Sequence, residues 1–186
     1  AERDGEAGLL GSALAAHRRV PFLLVPGAQT GDSLAESLRR IGAKRVSVVV
    51  CGQATPPAWV QRLPQEVRIL QRSDAQAALV VTLGPQNLRN VIVVRAPEGP
   101  AAVARACWLA PYLSYARESA IILATSHDPV TIEREVDAFV IAHKLRPRTV
   151  TILADYEAIN VHVPNMPQWP GEYAVETEPC SGDGDG

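Results

Sequence analysis

Apolar and polar positions along this chain fall into a repeating order: a short β-branched run, a turn, then a stretch with helical spacing. Six runs read as strands, at residues 20–25 (VPFLLV), 46–50 (VSVVV), 67–70, 91–94 (VIVV), 121–124 (IILA) and 149–153 (TVTIL). Pro21 is tolerated near the start of the first. The run at 46–50 is nearly continuous in apolar residues, as expected of a strand buried on both faces. Between the strands lie helical stretches. Asp32 or Ser33 caps one that carries Leu34, Leu38 and Ile41 on a single face and stops at Gly42. Pro56 and Pro57 open a short helix through Leu63. Residues 73–83 suit either state and are read as helix, because two successive strands would leave no crossover. A long helix is expected at 99–117, with Pro100 in its first turn and a kink or break at Pro111. Ser126 or Asp128 caps the last one, which runs to about Lys144 on a stripe of Ile132, Val136, Phe139 and Val140.

Strands alternating with helices predict an α/β fold: a doubly wound, mostly parallel sheet of about six strands, Rossmann- or flavodoxin-like. Residues 1–19 read as an N-terminal arm and residues 20–159 as the α/β domain. Residues 160–186 read as an irregular, Pro-rich segment ending in an acidic, Gly-rich tail. The unit at 20–50 resembles the unit at 121–153, as any two βαβ units do.

Composition narrows the function classes. The chain has 186 residues, 47% of them hydrophobic, with 18 basic against 20 acidic side chains. That suits one globular domain with a core of its own. The net charge of −2 argues against broad electrostatic binding to nucleic acid. No apolar run reaches the ~20 residues that span a bilayer. The three cysteines, Cys51, Cys107 and Cys180, are too widely spaced for a zinc site and read as two buried thiols and one exposed tail thiol. The absent initiator Met and the open-ended tail suggest a chain taken from a longer protein.

In such folds ligands bind at the carboxyl ends of the strands. Gly27, Gln29, Thr30 and Gly31 follow the first predicted strand, where backbone N–H groups can cradle a phosphate. The segment lacks both the dinucleotide fingerprint and the Gly-Lys-Ser/Thr of a P-loop, so a plain turn is the stronger reading and no cofactor is expected. Ser126 and Asp155 stand at the ends of two further strands as candidate ligand-binding residues. Cys51 follows the second. A thiol there acts as nucleophile if a base lowers its pKa, and His127 with Asp128 is the polar pair available as base and orienter. Asp128 also has a plain role as helix cap. No metal is expected, since no histidine pair has zinc-helix spacing. The Asp183-Gly184-Asp185-Gly186 tail lacks the later Glu of a calcium loop.

Thr151-Ile152-Leu153-Ala154-Asp155-Tyr156-Glu157-Ala158-Ile159 resembles the strand-end segment of gingipain-type cysteine peptidases, entered through Arg146-Pro147-Arg148-Thr149-Val150. Glu176-Thr177-Glu178 and Asp183-Gly184-Asp185 sit where that family has a similar acidic stretch. Ala154 stands where the family has glycine, and Asn160 where it has proline. The resemblance covers the last third of the chain. It implies a caspase-like leading subdomain, with the catalytic His and Cys of the family lying downstream, so no catalytic residue carries over. The middle of the chain, through LAPYLSYARESAIIL, resembles the cell-wall-binding repeats of bacterial surface proteins, which are α/β units without enzymatic activity.

The resemblances imply a non-catalytic structural or interaction module of a larger bacterial extracytoplasmic protein. Its partner is then the remainder of that polypeptide or another surface protein, with no nucleic acid and no membrane span. The rival expectation is a small cysteine-dependent hydrolase with Cys51 as nucleophile and His127 as base. A phosphate-binding module built on residues 27–31 is a third.

Overall fold

A computed structural model describes residues 4–25, 31–51, 56–95, 105–154 and 174–177. Among these residues the chain is mixed α/β, with five α-helices and two parallel sheets. Helix α1 spans Asp4–Arg18, α2 Gly31–Arg40, α3 Arg72–Leu83, α4 Ala110–Arg117 and α5 Pro129–Ala142. Strands β1 (Arg45–Val50) and β2 (Glu66–Gln71) form a two-stranded sheet, with Val46 opposite Val67 and Val49 opposite Leu70. Strands β3 (Asn90–Val94), β4 (Ala120–Leu123), β5 (Thr149–Leu153) and β6 (Ala174–Thr177) form the larger sheet, in the order β4-β3-β5-β6. Short 3₁₀ helices occupy Ala58–Arg62 and Arg105–Leu109.

The larger sheet explains its own sequence. Strands β3, β4 and β5 alternate between two apolar faces, and both are covered. Val91, Val93, Ile122 and Val150 pack against Ile132 and Val136 of α5. Ile92, Val94, Ile121, Leu123 and Leu153 point the other way, into a core with Leu9, Leu10, Ala13 and Leu14 of α1, Leu79 of α3 and Ala110 of α4. From β3 the chain moves to β4 on one side through α4, then to β5 on the other side through α5. Helices on opposite faces follow from that reversal when every crossover is right-handed. Leu70 of β2 and Cys51, just past β1, join the same core, which ties the smaller sheet to the larger.

Several expectations are corrected. Among the described residues there is no single sheet of about six strands. The expected first strand, residues 20–25, is irregular and pairs with neither sheet among the described residues. The chain instead turns at Arg19, which has a left-handed φ of 53°, and runs back along α1. The α1 glycines leave room for it. A Cβ on Gly11 would meet the Phe22 ring at 2.9 Å, and one on Gly8 would meet Leu24 at 3.6 Å. Pro21, with no N–H to donate, also weakens any ladder there.

The stretch read as an arm is α1, whose Leu9, Leu10, Ala13 and Leu14 are core residues. The 46–50 run is only half-buried at Val46, Val48 and Val49: Leu34 and Leu38 of α2 and Leu63, just past the first 3₁₀ helix, pack on Val46, while Val49 borders the main core. The long helix expected from residue 99 has regular α geometry only from Ala110, with Pro111 in its first turn, where a missing N–H costs nothing. Residues 99–104 lie outside the described residues. The region expected to be irregular contributes β6, which pairs with β5 from Thr149 opposite Ala174 to Ile152 opposite Thr177.

The exposed edge of β4 is closed by side chains from α3. Gln76 Nε2 donates to the Ile121 carbonyl at 3.2 Å, and Arg72 donates to the Leu123 carbonyl. These alternate carbonyls are the outward-facing ones, so the edge offers little to an incoming strand.

Four helices share one ending. The N–H of Val20, Ala43, Ser119 and Leu145 each bonds the carbonyl five residues back, on Ala15, Leu38, Ser114 and Val140. The residue between has positive φ: Arg19, Gly42, Glu118 and Lys144. This is the Schellman arrangement, and only α2 uses the glycine it favours.

Candidate functional site

The carboxyl edge of the larger sheet is where the fold would place a ligand. Among the described residues, several of its polar groups are spent on holding the edge together. Arg95, just past β3, donates its backbone N–H to Leu153 at 3.0 Å and its Nε to the His127 carbonyl at 3.0 Å. Thr125 donates its N–H to Glu135 of α5 at 2.9 Å, and its hydroxyl to the same carboxylate. Ser126 Oγ accepts the Asp128 N–H at 3.0 Å.

Asp128, not Ser126, caps α5. Its Oδ2 accepts the Thr131 N–H at 2.8 Å and the Thr131 hydroxyl at 2.7 Å. The hydroxyl bond first, then the N–H bond, hold the Asp128 carboxyl below its ordinary value, with His127 and Arg134 adding to the effect. A carboxylate already sits on the positive end of the helix, so an incoming anion finds that end compensated. The start of α3 is closed similarly by a reciprocal pair between Gln71 and Asp74.

The two halves of the expected catalytic pair are differently placed. Cys51 is buried in the core shared by both sheets, whereas His127 is exposed in the loop after β4. No hydrogen bond joins them among the described residues. Burial pushes the Cys51 thiol up to about 11, with the Glu6 carboxylate adding to the rise and Arg72 opposing it. That is the reverse of what activates a nucleophile. Gly31 opens α2, while Gly27, Gln29, Thr30 and Asp155 lie outside the described residues, as do Cys180 and His162.

Sequence reasoning missed a second polar pair. His17 Nε2 stands 3.1 Å from Ser114 Oγ, joining α1 to α4. Nothing in the sequence marks two residues 97 apart as neighbours. Ser114 Oγ also donates to the Ser119 carbonyl at 2.7 Å. A hydroxyl has one proton, so Ser114 must accept from His17. The imidazole therefore cannot act as base toward this serine, and Ser114 is fully buried besides.

A shallow cavity of about 510 Å³ lies between α3, β4 and α5, lined by Arg72, Gln76, Leu123, Thr125, Glu135 and Phe139 among others. Arg72 and Gln76 are engaged with the β4 carbonyls, and Glu135 with Thr125. Among the described residues no three His, Cys, Asp or Glu side chains gather as metal ligands, and no helix is long and apolar enough to cross a membrane.

The surface along α1 has the opposite character. Val20, Phe22, Leu23 and Leu24 are exposed large apolar residues, as are Trp108, Leu109, Tyr112 and Tyr115 of the second 3₁₀ helix and α4. Leu24 and the Trp108 ring both come within 3.6 Å of a Cβ placed on Gly8, which brings the two segments together over one turn of α1. Tyr115 lies against the His17 ring, with centroids 5.6 Å apart. Leu24 remains 61% exposed, Trp108 52% and Tyr112 70%.

Comparison of the chain with protein-family models, with curated proteins and with solved structures found no match.

Proposed function

We propose that this chain works as a non-catalytic interaction module of a larger extracytoplasmic protein, as its resemblance to the leading subdomain of gingipain-type peptidases implies. One observation carries the reading. Beside α1 a group of large apolar and aromatic side chains, Leu24, Trp108 and Tyr112 among them, is left exposed, and aromatic residues of this kind dominate binding energy at protein interfaces. The chemistry-bearing residues behave in the complementary way. The buried thiol of Cys51 is held protonated, and Arg95 and Asp128 at the carboxyl edge of the larger sheet are engaged in its own caps and clips. The hydrolase alternative needs Cys51 as a thiolate within reach of His127, and both burial and pKa oppose it.

The test is a hydrolysis assay of the purified chain on mixed peptide and ester substrates, beside a Cys51→Ala variant. The expected result is no turnover from either protein. Turnover by the natural chain that disappears in the variant would overturn the reading.

A further inference from the structure

We propose that the apolar strip beside α1 is the docking surface for a second copy of this chain, forming a two-fold dimer. The inference rests on the reading of the chain as an interaction module and names its partner.

Size favours a full interface. With an aromatic side chain offering 150–250 Å², the eight exposed residues present on the order of 800 Å². A standard specific complex buries about that much on each partner. Charge favours a like partner. Residues 20–25 and 107–116 contain no charged side chain, so two copies of the strip can face each other without like-charge repulsion. Among the described residues, charged groups adjoin these segments at their ends: Arg18 and Arg19 before Val20, Arg105 near Cys107, and Arg117 with Glu118 after Ala116. Arg19 follows the end of α1, and Glu118 caps the end of α4, close enough to act on His17. A two-fold axis running along the strip sets Arg19 of each copy against Glu118 of the other, a pairing that occurs twice by symmetry.

Order favours binding at low entropic cost. Phe22 and Leu24 are already seated on Gly11 and Gly8, and Tyr115 on His17, so little side-chain freedom is left to lose. A central cluster of Trp, Tyr, Phe and Leu has the composition of an interface core.

The experiment is sedimentation equilibrium of the whole chain across a hundredfold range of concentration, with Leu24→Glu and Tyr112→Glu variants alongside. Both side chains are more than half exposed, so circular dichroism should show an unchanged fold. The expected result is a dimer whose dissociation constant rises about 30-fold or more in each variant. A third sample tests the ends. Arg19→Glu should weaken the dimer, and adding Glu118→Arg should restore it. A chain that stays monomeric throughout would overturn the second-copy inference and leave the interaction-module reading standing. So would a dimer indifferent to both strip substitutions. Hydrolytic turnover in the same preparation would instead remove the module reading itself.

Discussion

His17 donates from Nε2 to the hydroxyl of Ser114 at 3.1 Å, and the Ser114 hydroxyl donates in turn to the Ser119 carbonyl at 2.7 Å. The relay ties the end of α1 to the end of α4 and uses a histidine that is half-buried. Burial is the main effect on the imidazole and lowers its pKa below 6.5, against a smaller upward pull from Ser114 and Glu118. Protonation at Nδ1 would keep the bond to Ser114 but place a charge in a partly desolvated site.

Stability should therefore depend on pH through His17. Its folded pKa lies below its unfolded one, so the unfolded chain takes up the proton first as pH falls. The contribution of His17 to stability is complete above the unfolded value of 6.5 and is lost below it, toward the folded pKa. Melting temperatures between pH 7.5 and 5 should fall more steeply in the natural chain than in His17→Gln. Parallel curves would show that His17 is not the titrating group.

Cys51 should be chemically quiet. With its thiol pushed up to about 11 by burial, it holds almost no thiolate at pH 7.5. Alkylation by iodoacetamide, mapped by peptide mass spectrometry, should leave Cys51 unmodified in the folded chain and modify it fully in urea. Rapid labelling without denaturant would restore Cys51 as a candidate nucleophile.

Gln76 should matter to stability although it sits on a helix facing a sheet edge. It is buried, and its amide satisfies the Ile121 carbonyl. Gln76→Leu removes the donor and leaves a buried carbonyl unpaired, a loss of about 1–3 kcal/mol. Urea denaturation reads this as a lower midpoint at constant slope. A change below a few tenths of a kcal/mol would mean that another donor reaches Ile121.

Glycine should be preferred where three helices end. Lys144 closes α5 with a φ of 54°, a conformation that disfavours side chains with a Cβ. Lys144→Gly should stabilise the chain by about 1 kcal/mol, because the strain relieved exceeds the added freedom of the unfolded chain. The same change at Ala138, inside α5 and exposed, should destabilise it by about 1 kcal/mol. Equal effects at the two sites would rule out the left-handed ending as the cause.

Gly8 and Gly11 should separate in the same way. Gly8→Ala adds helix propensity and an ordinary 3.6 Å contact with Leu24 and Trp108, for a gain of about 0.5–1 kcal/mol. Gly11→Ala must also displace the Phe22 ring, which lies 2.9 Å from the new carbon. Its gain should be smaller or reversed. Thermal unfolding of the two variants side by side makes the comparison.

The sequence by itself determined the elements whose signals are local. The strand at 149–153 has the bounds expected, those at 67–70, 91–94 and 121–124 differ by one residue at one or both ends, and the helix over 73–83 is present as α3. Asp128 with Pro129 marked the start of α5, and Gly42 marked the end of α2. Backbone hydrogen bonding, apolar periodicity and capping act within a few residues, so a reader of the chain can apply them directly.

What tertiary structure alone decided is where each apolar run finds a partner. VPFLLV has the composition of a strand, yet it lies along α1, because Gly8 and Gly11 offer a groove at backbone level. LLGSALAA lacked a clean stripe and read as an arm. It is buried on several sides at once, so no single face shows. Cys51 followed a strand in the position of a nucleophile, and only the meeting of the two sheets seals it in the core. The bond between His17 and Ser114 was invisible for the same reason: contacts between distant residues are set by packing, and the energy of packing has no signature in neighbouring letters.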